Sequence, residues 1–237
     1  MNKPFRFKKF TVNQDRTAMK IGTDGVLLAA WTDVSLNPLS VLDIGAGTGV
    51  IALMLAQRSS AETIDAIEIE GNAYEQCVEN FENSPWADSL FCYHCSLDEF
   101  VLEIEDNYDL IVSNPPFYTN SLGSGNTARD RARRNIELPF EELFNSINGL
   151  LSKNGHFAMI APFSEEKSLV KLAMEYRLYP RRITRVKGLA HLPAKRSLLE
   201  FTFENTEPIL DELIIEKDRH QYTEEYIELT KDFYLNM

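Results

Sequence analysis

Strand-like runs with alternating or continuous apolar positions recur along this chain, separated by segments of helical length. Val41–Gly45, Thr63–Ile69, Leu90–Cys95, Tyr108–Ser113 and His156–Ala161 read as strands, and two more fall at Arg182–Lys187 and Leu198–Phe203. Between them, Val50–Gln57, Asn72–Asn83, Phe140–Leu151 and Glu165–Tyr176 carry apolar or small residues at helical spacing. Lys153-Asn154-Gly155 reads as the stop signal of the third helix, and the fourth ends near Leu178-Tyr179-Pro180. Strands alternating with helices predict an α/β fold, a largely parallel sheet wound with helices on both faces. Gly188–Ser197 is too short for a helical crossover, so the last two of the seven strands are expected to be antiparallel.

The chain continues through a possible strand at Leu213–Glu216 into an amphipathic helix, Thr223–Tyr234. Tyr222, Tyr226, Leu229, Phe233 and Tyr234 are expected to seal one edge of the fold by packing. No repeat, low-complexity tract or linker divides the sequence, so 1–237 is expected to form a single domain, with 1–35 and 206–237 as terminal segments packed on it. No run approaches the roughly 18 apolar residues of a membrane helix. The basic amino terminus lacks the apolar core of a signal peptide. A cytoplasmic protein is expected.

Three cysteines, Cys77, Cys92 and Cys95, are too few and too odd in number for a disulfide framework. Cys92-Tyr-His94-Cys95 has the spacing of half a metal site. No second ligand pair follows, so the run reads as a strand with buried structural thiols and no metal.

A net charge of −12 argues against a nucleic-acid partner until its distribution is read. Residues 3–20, 129–134 and 177–196 hold seventeen of the 24 Lys/Arg residues and two of the 36 acids. Attraction to phosphate depends on local charge within about a Debye length, ~8–10 Å, so these stretches are either one phosphate-facing surface or separate solvated faces.

Three motifs carry chemistry. Val41-Leu-Asp43-Ile-Gly45-Ala-Gly47-Thr-Gly49 is a strand running into a glycine loop, where side chains would collide with a cofactor lying over the strand's carboxyl end. Its G-x-G-x-G spacing favours an adenosyl sulfonium over a pyrophosphate, which would occupy the helix N-terminus. About 20 residues on, Glu68 ends the next strand, where an acid can accept hydrogen bonds from both ribose hydroxyls. Asn114-Pro115-Pro116-Phe117 then closes the fourth strand. Two prolines stiffen the turn and remove two N–H donors, leaving acceptors. The Asn114 amide oxygen and the Pro115 carbonyl can each accept one hydrogen of a planar amine and aim its lone pair at an electrophilic methyl. Phe117 offers a flat face to an unstacked base.

In this order, glycine loop, acid and Asn-Pro-Pro-Phe resemble the class I methyltransferases of exocyclic and amide nitrogens. The run Phe10–Trp31 narrows the likeness. With Asn80-x-x-x-Ser84-Pro-Trp86, Arg129-x-x-Ala132-Arg133 and Tyr222-x-x-x-Tyr226-x-x-Leu229-Thr-x-x-Phe233-Tyr234, it resembles, over essentially the whole chain, the bacterial tRNA1(Val) (adenine-N6)-methyltransferase family, which modifies adenine 37 beside the anticodon.

The resemblance implies a Rossmann-like class I methyltransferase fold with a seven-stranded mixed sheet whose last strand is antiparallel. It also implies S-adenosyl-L-methionine as cofactor and a tRNA anticodon loop as partner. A monomer is expected. Lys20, Gly22, Thr23 and Asp24 would close over the cofactor, and Asp43, Gly45, Gly47, Gly49, Glu68 and Leu97 would contact it together with Asn114. Two departures stand out. The family places an acid near the end of strand three for the cofactor's adenine amine, where this chain has Ser96, so that bond falls to Ser96 or to Asp98. The fourth motif, commonly NPPY, is NPPF followed by Tyr118, a form shared with N2-guanine rRNA methyltransferases. Tyr118, Arg129, Arg131, Arg133, Arg134 and Arg196 are the expected RNA contacts.

Two further readings remain at this level. A glutamine amide fits the same two acceptors, as in protein glutamine N5-methyltransferases, though those enzymes carry an additional amino-terminal helical domain. A noncatalytic adenosine-binding RNA scaffold would keep the fold without needing the NPPF turn.

Overall fold

A computed structural model describes residues 3–116 and 138–237. A short hairpin of β1 (Phe5–Arg6) and β2 (Thr11–Val12) leads into α1 (Thr23–Trp31), β3 (Ser40–Ile44), α2 (Val50–Arg58), β4 (Thr63–Glu68) and α3 (Gly71–Glu82). These are followed by β5 (Leu90–His94), α4 (Leu97–Glu103) and β6 (Tyr108–Ser113). After the undescribed stretch come α5 (Phe140–Leu150), β7 (Leu151–Pro162), α6 (Glu166–Glu175), β8 (Tyr179–Leu189) and β9 (Arg196–Thr202). The chain ends with β10 (Ile209–Asp218), β11 (Gln221–Tyr222) and α7 (Glu224–Thr230).

All seven expected strands are present in one sheet, ordered β11-β10-β8-β9-β7-β6-β3-β4-β5. From β5 to β7 the strands are parallel, and β9 is antiparallel to both β7 and β8. Two strands extend the sheet beyond the seven: β10, which contains the possible strand at Leu213–Glu216, joins β8 in parallel, and β11 folds back on β10.

Side chains alternate between two cores, as the strand period of two requires. Leu110, Val112, Ala158 and Ile160 face α1, α2 and α3, while Ile111, Phe157, Met159 and Phe201 face α4, α5 and α6. Burial on both faces is why the central strands read as apolar runs.

Lys153-Asn154-Gly155 does not stop a helix. The helix ends at Leu150 and β7 begins at once, carrying those three residues as its outer end. At the opposite edge the carboxyl-terminal aromatics pack as expected, but against the amino-terminal hairpin: Phe7 bridges Tyr234, and the Lys8 ammonium donates to the Lys231 carbonyl at 2.5 Å. Tyr226 and Phe233 are buried there, whereas Tyr222 stays exposed. Among the described residues, no helix is long and apolar enough to cross a membrane.

Candidate active site

From β3 the chain runs outward through β4 and β5, then returns to β6 on the other side of β3. That reversal leaves a crevice at the strands' carboxyl ends. A cavity of about 470 Å³ opens there. Gly45 and Gly47 beyond β3, Glu68 at the end of β4, and Asn114, Pro115 and Pro116 beyond β6 all line it, so three motifs far apart in sequence share one wall.

Gly45 and Gly47 have φ of 77° and 56°, a region that residues with a Cβ rarely adopt. A Cβ on either would meet nothing within 4 Å, so both bare their backbone to open space. Gly49 answers a different need. A Cβ there would lie 2.5 Å from Phe81 and 2.8 Å from the Cys77 sulfur, so this glycine lets the loop press onto α3. It packs, and among the three loop glycines only Gly45 and Gly47 line the cavity.

Glu68 ties the loop to the strand end. One carboxylate oxygen accepts the Gly47 N–H and the other the Glu70 N–H, each at 2.8 Å. Each oxygen has a second lone pair, which leaves capacity for two hydroxyl donors.

The opposite wall comes from Thr17, Ala18 and Met19, which the sequence reading did not single out. Two buried amides of α3, one turn apart, hold the strap that leads to them. Gln76 accepts the Asp15 and Arg16 N–H groups at 3.1 Å. Asn80 accepts the Asn13 N–H at 2.8 Å and donates to the carbonyls of Asn13 and Thr48, both at 2.9 Å. Asn80 thus fastens the strap to the glycine loop. The buried Thr17 hydroxyl has no hydrogen-bond partner among the described residues, although it stands in the cavity wall.

Comparison with known proteins decides what this wall belongs to. A family model described as the methyltransferase small domain matches residues 20–162. A Christiangramia forsetii protein is 58% identical over 100% of this chain and 99% of its own. One from Flavobacterium johnsoniae is 59% identical over 98% of this chain and 100% of its own, and one from Bacteroides fragilis 45% identical over 100% of both. All three are named tRNA1(Val) (adenine(37)-N6)-methyltransferase. The chain belongs to this methyltransferase family. Among solved structures, a predicted O-methyltransferase of Agrobacterium tumefaciens superposes with a TM-score of 0.66 at 18% identity, covering 89% of this chain and 96% of that one. A putative RNA methyltransferase of Pyrococcus horikoshii gives 0.53 at 17%, covering 73% and 80%. These two carry the fold.

The methyltransferase family implies S-adenosyl-L-methionine, and the cavity fits it: two open glycines, a carboxylate with spare acceptor capacity and an orphaned hydroxyl converge on it. The other expected contacts are distributed unevenly. Leu97 lines the cavity, whereas Asp43 lies behind the glycine loop. Its carboxylate is fully buried, with one oxygen accepting the Ala52 N–H at 3.2 Å and the other without a hydrogen-bond partner among the described residues. Burial pushes the Asp43 carboxyl up to about 7; the Ala52 bond opposes this and the nearby Glu68 charge adds to it. Lys20, Gly22 and Thr23 are exposed and do not line the cavity, whereas Thr17, Ala18 and Met19 do.

Ser96 lines the cavity but already caps α4: its hydroxyl accepts the Glu99 N–H, and the Glu99 carboxylate accepts the Ser96 N–H at 2.9 Å. Asp98 stands on the same wall with Glu142 of α5. Burial raises the Glu142 carboxyl above its ordinary pKa, and the hydrogen bond and charge of Asp98 push in the same direction. Cys95 also lines the cavity, and Cys92 and Cys95 are half-buried rather than the buried thiols expected, whereas Cys77 is buried.

Phe117, Tyr118, Arg129, Arg131, Arg133 and Arg134 lie outside the described residues. Among the described residues, five of the seven cations of the basic stretch 177–196 are paired with carboxylates. Arg181 and Arg182 clasp the fully buried Glu200, and Arg181 also reaches Asp33. Arg185 binds Glu166, Lys187 binds Glu212, and Arg196, expected at RNA, binds Asp24 at 2.8 Å. In the amino-terminal stretch, Arg16 pairs with Glu75 and Glu79.

Proposed function

We propose that this chain methylates the exocyclic N6 of an adenine in tRNA, at position 37 of tRNA1(Val). The observation that carries the reading is the meeting of Gly45, Gly47, Glu68, Asn114 and Pro115 on one cavity at the sheet's reversal point. The name shared by full-length relatives at 58% and 59% identity supports adenine over guanine N2 or a protein glutamine.

When bound, S-adenosyl-L-methionine supplies an electrophilic sulfonium methyl. Gly45 and Gly47 would give it backbone contact, Glu68 would accept its ribose hydroxyls, and Thr17 would offer its hydroxyl. Asp98 and Glu142, which line the cavity with Ser96, would accept from the adenine amine, since the Ser96 hydroxyl already caps α4.

At the other end, Asn114 Oδ1 and the Pro115 carbonyl each accept one hydrogen of the substrate amine. This turns the nitrogen lone pair out of conjugation and toward the methyl. As positive charge develops on nitrogen both acceptors interact more strongly, so their stabilisation falls mainly on the transition state. The surplus proton leaves the nitrogen for water. Holding the reactants in line supplies much of the rate.

Asn114→Ala tests the cradle. The variant is expected to bind cofactor in calorimetry and to lose methylation of a tRNA1(Val) transcript; near-normal turnover would remove Asn114 from the mechanism. Nucleoside mass spectrometry of tRNA from cells with and without the gene tests the substrate, and an unchanged level of N6-methyladenosine would reject it.

A further inference from the structure

One exposed aromatic at the working end of the sheet has no part in the cradle. Phe163 opens the short 3-10 turn that follows β7 and keeps 38% of its surface exposed. Its position relative to Asn114 follows from register. Ser113 of β6 pairs with Met159 of β7, so Asn114 is the next residue beyond that level, while Phe163 begins the turn that follows Pro162, the last residue of β7. At about 3.3 Å per residue and ~5 Å between strands, Phe163 lies at most ~10 Å further along the strand direction than Asn114, beyond the end of the adjacent strand. That offset is the scale of one nucleotide.

The ring is held in place. The Phe163 N–H donates to the Lys195 carbonyl at 3.1 Å, and the preceding Pro162 pairs with Arg196 across β7 and β9. The Arg185 guanidinium sits 5.5 Å from the ring centroid. It is itself anchored by Glu166, which accepts from Arg185 at 2.8 Å and from the Ser197 hydroxyl at 2.6 Å. An aromatic ring backed by a fixed cation is a surface on which a nucleobase stacks. Lys195, exposed beside the ring, supplies a cation for the attached phosphate. A protein partner would cover a broad apolar patch; among the described residues Phe163 is followed by the exposed polar Ser164 and Glu165, which suits one base.

We propose that Phe163 is the stacking platform for an unpaired nucleotide flanking the target adenine, with Lys195 meeting its phosphate. This rests on the RNA reading above and adds to it a residue that selects for single-stranded loop.

The test uses the full-length protein and tRNA1(Val) transcripts, intact or made abasic at the nucleotide on either side of the target. Phe163→Ala is expected to raise the KM for intact RNA about tenfold to a hundredfold, the span that loss of one base–aromatic stack produces. Cofactor affinity and melting temperature should hold, and Phe163→Tyr should stay close to wild type. One of the two abasic transcripts should impose the same penalty on the wild type and no added penalty on Phe163→Ala, as groups that act only through each other must. An unchanged KM in Phe163→Ala, or abasic penalties that simply add to it on both sides, would overturn the platform. A wild-type enzyme that leaves the intact transcript unmethylated would instead overturn the substrate reading.

Discussion

Asn80→Asp isolates the join between the strap and the glycine loop with almost no change in shape. Asn80 is 1% exposed, and the assignment of its amide is fixed by its surroundings: one N–H points at it and two carbonyls face it. In the variant the carbonyl-like oxygen still accepts the Asn13 N–H. The other position becomes an oxygen facing the Asn13 and Thr48 carbonyls, so two hydrogen bonds are lost and a charge is buried against two acceptors. Leaving a buried carbonyl unsatisfied costs about 1–3 kcal/mol, which for two gives roughly 4 kcal/mol. For a chain of this size that is a fall in melting temperature of about 8–16 °C.

The pH dependence identifies the cause. A protonated carboxyl can donate to one carbonyl and recover about half the loss. The introduced group therefore has its folded pKa raised above the unfolded value of about 3.9. The folded state then holds a proton that the unfolded state has released, and stability falls as pH rises through that window. Melting followed by circular dichroism at pH 5 and pH 8 should show the deficit growing with pH, and calorimetry should show weakened cofactor binding because the Thr17 wall has slackened. Asn80→Ala, which loses all three bonds without adding charge, should melt early by an amount independent of pH. A variant Asn80→Asp that melts within 2 °C of wild type at pH 8, or with the same deficit at both pH values, would refute this account.

Two further outcomes follow from the same cavity. Glu68→Gln puts an NH2 against one of two backbone N–H donors and removes a charge-assisted acceptor, so cofactor Kd should rise roughly 30- to 100-fold, about 2–3 kcal/mol, in calorimetry; a change under about threefold would exclude Glu68 from the site. Asp43, raised from 3.8 to about 7 by burial, is protonated in the folded state and ionised in the unfolded state between those values, so its contribution declines as pH rises from about 4 to about 7. Asp43→Asn should flatten that decline in cofactor-free protein, and melting curves with unaltered pH dependence would show that the buried carboxyl is not responsible.

The strands were legible because burial on both faces leaves no polar alternation to interrupt an apolar run, and Asn114, Glu68 and the glycine loop were legible because each sits where a strand must end. Helix α1 was not. Gly25 through Trp31 are all buried, so the helix has no polar face, and Gly22 at its N-cap offers no capping side chain. The capping box at Ser96-Leu-Asp-Glu99 was visible as a sequence pattern, yet position after strand three suggested a cofactor contact; the folded chain uses the hydroxyl for the helix. Thr17 carried no signal, because what makes it a wall residue is the grip of Gln76 and Asn80, some sixty residues away.

Local charge misled for a related reason. The cations of 177–196 find partners that counting over a window cannot see: Arg196 with Asp24 and Arg181 with Asp33 are 172 and 148 residues apart. Five of the seven are ion-paired among the described residues, so that stretch adds little net positive field. Each phosphate that a protein neutralises contributes about 0.7–0.9 to the salt slope of binding. Cations already committed to carboxylates contribute little, so a net charge of −12 leaves less of the affinity to electrostatics than the sequence count implies. The remainder must come from contacts that salt does not screen. A single-stranded loop offers bases, and in the proposal above Phe163 offers one of them a stacking face. An acidic enzyme can in this way select an unstacked loop over the duplex that surrounds it, since a duplex presents the same phosphates but no free base to stack.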